Sequence, residues 1–90
     1  MSRSYRAYLQ DMRDCMAKIL DYTDGYDYSQ FTKDEKTIDA VVRNIEIIGE
    51  ASKHLPNSIK RLDSQIPWKA IAGMRDKLVH DYFGVDIRFV

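Results

Sequence analysis

Tyr5, Leu9, Met12, Met16 and Ile19 recur at alternating spacings of four and three. That spacing sets five side chains on one stripe and predicts an α-helix from about Ser4 to Tyr22. Tyr8, Cys15 and Leu20 widen the stripe, while Arg6, Gln10, Asp11, Arg13, Asp14 and Lys18 fill the opposite side. Thr23-Asp24-Gly25-Tyr26-Asp27-Tyr28 interrupts the pattern. Gly25 tolerates left-handed dihedrals and the aspartates suit a turn, so a loop is expected, with its two tyrosines capping the core.

A second stripe, Ile38, Val41, Ile45, Ile48, Ser52 and Leu55, widened by Val42 and Ile47, predicts a long helix from about Thr32 to His54. Asp34 and Glu35 fall in its first turn and Lys53 and His54 in its last, which complements the helix dipole. Pro56 disfavours a helical Leu55 and ends it. Two such helices joined by a modest loop pack antiparallel. Beyond Pro56, Asn57 or Ser58 is placed to cap a brief helix carrying Ile59 and Leu62. Pro67, at a first turn, leads into a helix of Trp68, Ile71, Met74 and Leu78 running to about His80, before Gly84 breaks it. No stretch alternates as a strand would. The expected fold is all-α: a small up-down bundle of one domain, residues 1–90, with two long antiparallel helices and two or three short ones. Asp86 is placed to cap a further helix, yet only Ile87-Arg88-Phe89-Val90 follow. A single turn does not stand alone. The last helix is therefore expected to be absent or shortened, or these residues to dock on a partner.

Composition narrows the function. A domain of 90 residues buries only about 60–65% of its unfolded surface, so its core is thin and dimerisation is one remedy. Fourteen basic residues balance fourteen acidic ones, which argues against holding nucleic acid by bulk attraction. A few well-placed cations at one phosphate remain compatible with that balance. Cys15 is the only cysteine, so neither an intrachain disulfide nor a cysteine zinc cage is available. Burial on an apolar face is its expected role. The N-terminus leads into no signal-like run, and no window nears the ~18 apolar residues that cross a bilayer. A cytoplasmic protein that does not enter membranes is expected.

Candidate chemistry gathers in Gly73-Met74-Arg75-Asp76-Lys77-Leu78-Val79-His80-Asp81-Tyr82-Phe83-Gly84. Glycine-rich phosphate loops, His-x-x-x-His pairs and Gly-x-Ser-x-Gly elbows are missing, and with His54 and His80 the only histidines, no metal site is expected. The set suits phosphodiester cleavage. An imidazole exchanges protons near neutrality, and a guanidinium grips a phosphate by two parallel hydrogen bonds. In RNA the neighbouring 2′-hydroxyl is a built-in nucleophile, so neither metal nor cofactor is required. Five positions along a helix separate Arg75 and His80 by about 140°. They converge only if the helix ends near Val79 or a second copy supplies the missing partner.

The spacing Arg75-x-x-x-x-His80-x-Tyr82 resembles the R-x4-H-x-Y signature of HEPN-domain toxins, in their HepT-like branch. The stretch from Asp39 to Ala51 resembles that branch's second-helix segment, and Trp68 to Met74 its lead-in to the motif. Together the likeness runs from near the start to about Asp86. It implies a helical bundle that forms homodimers, bringing two copies of the motif into one cleft. It also implies a metal-independent ribonuclease, the toxin of a toxin–antitoxin pair. The implied antitoxin resembles a minimal nucleotidyltransferase that transfers AMP to the motif tyrosine, here Tyr82, setting a bulky anion beside the catalytic pair.

On this resemblance Arg75 stabilises the phosphorane-like transition state and His80 is general base or acid. Asp76 orients Arg75, or is a plain helix acid. Glu50 and Asn44 buttress the motif, or merely cap and pair. Lys77 reads better as a solvated lysine than as an RNA contact. Family members continue through another helix after the segment matching Gly84-Val85-Asp86, where this sequence has Ile87 to Val90. The alternative that neutral charge favours is a non-catalytic helical module that dimerises or binds a nucleotidyltransferase partner. A third reading is a nucleotide-binding regulator using Arg75 and Lys77.

Overall fold

The computed structural model describes residues 4–81, with side chains through residue 77. Within them run α1 (Tyr5–Thr23), α2 (Tyr28–Thr32), α3 (Glu35–Lys53), α4 (Asn57–Lys60), a single 3-10 turn (Arg61–Asp63) and α5 (Trp68–Asp81). No strand occurs among the described residues, and the fold is the all-α bundle that the periodicity predicts.

Each start has a local cause. Ser4 caps α1 by accepting from the Arg6 amide. Gly25, at φ 77°, turns the chain in the left-handed region between α1 and α2. The predicted second helix is found, starting three residues later than expected, and a short helix not read from the sequence precedes it. Asp27 and Gln30 form a reciprocal capping box that starts α2. Asp34, expected inside a first turn, is instead the cap of α3 and accepts from the Thr37 amide at 3.1 Å. Its other oxygen accepts from the Thr37 hydroxyl at 2.8 Å and the Tyr26 hydroxyl at 2.7 Å. Those bonds hold the Asp34 carboxyl below the usual carboxylate range, with Tyr26 the largest cause. Asn57 is the first residue of α4 rather than its cap. The cap position belongs to Pro56, which offers no side-chain hydrogen bond. Pro67 stands just before α5, its carbonyl accepting from the Ile71 amide.

Tyr8, early in α1, meets His54 just past α3, while Tyr26, past α1, meets Asp34 at the start of α3. The two long helices therefore run antiparallel. Between them lie Met12, Cys15, Ile48, Ala51 and Leu55, with Ile19, Ile47, Trp68 and Ile71 packed around. Burial pushes the Cys15 thiol up. The Trp68 indole donates to the Lys60 carbonyl at 3.1 Å and the Asp63 carbonyl at 3.3 Å, tying the α4 segment to α5.

Five apolar assignments are corrected. Leu20 and Met16 are exposed to solvent. The face of α1 that meets α3 is centred between Met12 and Cys15, and Leu20 lies about 100° from Ile19 on an ideal helix. Leu62, in the 3-10 turn, is 80% exposed. Tyr26 and Tyr28 are exposed rather than capping the core. The expected break at Gly84 and the segment from Asp86 to Val90 lie outside the described residues.

Candidate functional site

α5 crosses α3 at Gly49, and that contact sets the site. A β-carbon built on Gly49 would overlap the Arg75 Cβ and stand 2.9 Å from its Cγ and 3.1 Å from the Ile71 carbonyl oxygen. Only a hydrogen fits. The absent side chain lets the Arg75 stem run down the surface of α3 to the next residue, Glu50.

There the guanidinium is fixed on two sides. Its Nε lies 3.1 Å from Glu50 Oε2 on α3, and its Nη1 lies 3.2 Å from Asp76 Oδ1 on α5. Lys53 Nζ, one turn beyond Gly49, pairs with the same Asp76 oxygen. The bond from Lys53, and then that from Arg75, holds the Asp76 carboxyl below the ordinary carboxylate range. Among the described residues these contacts engage the Nε and Nη1 of the guanidinium.

Glu50 works in both directions. Its second oxygen lies 3.4 Å from His54 Nε2, and the His54 ring stacks on Tyr8 at 4.4 Å between centroids and 6° between planes. A cleft of about 230 Å³ opens beside this chain of contacts, lined by Tyr8, Asp11, Arg43, Glu46, Ile47, Glu50, Ala51 and Arg75. The arrangement presents a partly exposed, oriented guanidinium at the wall of a small polar cleft, as recognition of one phosphate requires. Among the described residues no three of His, Cys, Asp and Glu gather as a metal site would need. None of the helices there is long and apolar enough to cross a membrane.

Of the residues singled out in the sequence, Arg75, Glu50 and Asp76 are brought together. Asn44 is not. It is buried on α3 with its amide donating to the Ala40 carbonyl at 2.8 Å, and takes no part in the cleft lining. The backbone of His80 belongs to α5, which continues to Asp81. An end of the helix near Val79, one of the two routes to convergence, is thereby ruled out. Positions 75 and 80 lie about 140° apart around one uninterrupted helix. The His80 side chain and Tyr82 lie outside the described residues.

Sequence reasoning passed over Gly49, Lys53, His54, Tyr8 and Arg43. Glu50 and His54, four apart on one helix, carried a readable local signal. The meeting of Lys53 with Asp76 had none.

The family model for "Ribonuclease HepT-like" matches residues 12–90. This chain belongs to the HepT-like ribonuclease family. A protein of Thermococcus cleftensis named "Probable ribonuclease HepT" is 50% identical over 88 residues, covering 98% of this chain and 80% of that protein. A Methanocaldococcus jannaschii protein named "Putative RNase" is 42% identical, covering 98% and 73%. Another of that name from Caldanaerobacter subterraneus is 44% identical over 85 residues, covering 94% and 76%. No solved structure matches the chain. The matched HepT-like region contains every element that builds the Arg75 cleft except the first turns of α1.

Proposed function

We propose that this HepT-like chain, as one domain over residues 1–90, is a cytoplasmic metal-independent endoribonuclease acting as the toxin of a toxin–antitoxin pair. The observation that carries the reading is the Arg75 guanidinium, fixed by Glu50 and Asp76 at the wall of a small cleft, in a chain of a ribonuclease family. The substrate is single-stranded RNA. His80 accepts the 2′-hydroxyl proton as that oxygen attacks the adjacent phosphorus. The negative charge growing on the non-bridging oxygens falls to Arg75. The P–O5′ bond breaks, the 5′-oxygen is protonated, and a 2′,3′-cyclic phosphate remains. Asp76 and Glu50 hold the guanidinium in place.

The centre is completed by a second copy in a homodimer. The uninterrupted helix supports this, because one α5 does not turn positions 75 and 80 to the same side. A nucleotidyltransferase antitoxin silences the toxin by transferring AMP to Tyr82.

Purified protein is expected to cut single-stranded RNA in EDTA, leaving cyclic phosphate ends, with cutting abolished in folded His80→Ala and Arg75→Ala. Undiminished cleavage by folded His80→Ala overturns the mechanism. After co-expression with the antitoxin, intact mass is expected to show AMP additions that Tyr82→Phe lacks; an equal adduct on the phenylalanine variant refutes that assignment.

A further inference from the structure

We propose that Lys53 is a positioning residue of the RNA-cleaving site: from the end of α3 it holds the Asp76 carboxylate, and through that carboxylate it sets the aim and the effective charge of the Arg75 guanidinium. The proposal rests on the ribonuclease reading and adds to it a residue outside the motif stretch.

Placement is the first argument. Gly49 and Lys53 stand four apart on the face of α3 that meets α5. Arg75 packs over the first, and Asp76 is met by the second. Arg75 and Asp76 are neighbours on α5, so their side chains leave the helix about 100° apart and do not face each other. A pull from α3 brings their heads together. Asp76 Oδ1 accepts from Lys53 Nζ and lies 3.2 Å from Arg75 Nη1, so a single oxygen joins three side chains. On the other side, Glu50 takes the Nε at 3.1 Å. The guanidinium is thereby tied to α3 twice, once directly and once by way of Lys53.

Charge is the second argument. Glu50 and Asp76 bring two carboxylates to one guanidinium. A carboxylate fits that fork by the same two parallel hydrogen bonds as a phosphate. An unshared Asp76 therefore competes with the substrate that Arg75 has to hold. Lys53 turns the group into two cations against two anions. Its bond, ahead of the one from Arg75, is the largest cause holding the Asp76 carboxyl low. The carboxylate is directed mainly at the lysine, and Arg75 keeps more of its charge for the oxygens around phosphorus.

Exposure is the third argument. The Lys53 and Asp76 side chains are 34% and 48% exposed. A pair that open contributes little to stability, so its loss is expected to show in the rate and not in the fold.

The experiment reads kinetics and the side chains together. Lys53→Met keeps an unbranched stem and removes the ammonium. It should lower kcat on a single-stranded RNA oligonucleotide by roughly tenfold with KM little changed, because the lost support acts on charge that grows in the transition state. Lys53→Arg keeps the charge and the reach, and should recover most of the rate. In an Asp76→Ala background Lys53→Met should bring no further loss, as expected of residues that act through one contact. Carboxyl-carbon NMR should show the Asp76 titration moving up toward the ordinary carboxylate range in Lys53→Met. Nitrogen relaxation should show a lower order parameter at the Arg75 Nε–H. Lys53→Gln takes its place should Lys53→Met fold poorly. An unchanged kcat, or an equal loss with and without Asp76, overturns the proposal, as does an Asp76 titration or an Arg75 order parameter that stays put. A raised KM at unchanged kcat, with a shallower salt dependence, assigns Lys53 to direct phosphate contact and also overturns it. Wild-type protein that leaves RNA whole, while both NMR signals respond to Lys53→Met, defeats the ribonuclease reading alone.

Discussion

Replacing Gly49 with alanine places a methyl group where α3 and α5 touch, and its consequences can be worked from the contact. The new carbon overlaps the Arg75 Cβ and crowds its Cγ and the Ile71 carbonyl oxygen. Two of these atoms, the Cβ and the carbonyl oxygen, move only with the backbone of α5, so relief requires the helix itself to shift. Overpacking of this kind costs about 1–3 kcal/mol, and a backbone obstruction belongs at the upper end. Against it stands the helix-propensity gain of alanine over glycine, about 1 kcal/mol. The net is a loss of about 2 kcal/mol, which for a domain of this size lowers Tm by about 8–16 °C. Gly73 on α5 is the internal control. A Cβ there meets nothing within 4 Å, so Gly73→Ala keeps the propensity gain and is expected to raise Tm by roughly 4–8 °C. Thermal denaturation followed by circular dichroism reads both. The displaced helix carries Arg75 with it, and a shift near 1 Å costs roughly a hundredfold in rate. RNA cleavage by Gly49→Ala should fall by that order at a temperature where both proteins are folded. A Gly49→Ala protein that melts at or above the wild-type temperature refutes the close-contact reasoning.

Glu50→Gln leaves a hydrogen-bonding group beside Arg75 but removes its charge. Cleavage is expected to drop by roughly tenfold, mainly in kcat, because the guanidinium is oriented less firmly; an unchanged kcat counts against the orienting role. Asp34→Asn should destabilise the fold near neutral pH. The Asp34 carboxyl is held low by Tyr26 and Thr37, so its contribution is present above the unfolded carboxylate pKa of about 3.9. It fades as pH falls through the lower folded value. Denaturation of the two proteins should therefore converge in acid, and a gap that widens there contradicts the sign. Cys15 is buried and its thiol pushed up by burial, so an aromatic disulfide reagent should react slowly with the native protein and rapidly in denaturant. Trp68→Phe loses the indole bond to the α4 segment and should cost about 1 kcal/mol in a urea titration.

Periodicity made α1, α3 and α5 legible because each buries one stripe, and a stripe is a local property of sequence. The short α2 and the exact start of α3 were written in two polar pairs, Asp27 with Gln30 and Asp34 with Thr37, which a reading weighted toward apolar spacing missed. Leu20 and Met16 were misplaced because spacing fixes which residues share a side, not how wide a strip the neighbouring helix covers. At the site, Arg75 and its neighbour Asp76 could be found from their own stretch of chain. Glu50 was within reach through the family likeness, while Asn44 was drawn in with it and turned out to serve its own helix. Gly49 and Lys53 matter only because α5 lies where it does. Their role is a fact of tertiary geometry that no local pattern encodes.

That α5 passes position 80 without a break has a genetic consequence. In the composite centre proposed above, each catalytic unit draws its cation from one polypeptide and its proton carrier from the other. Two alleles that are silent alone, one without the arginine and one without the histidine, then rebuild one intact centre whenever they pair. A cell expressing both should regain RNA cutting and growth arrest, up to half of the parental activity in the mixed pairs. Two alleles crippled at the same position should stay silent.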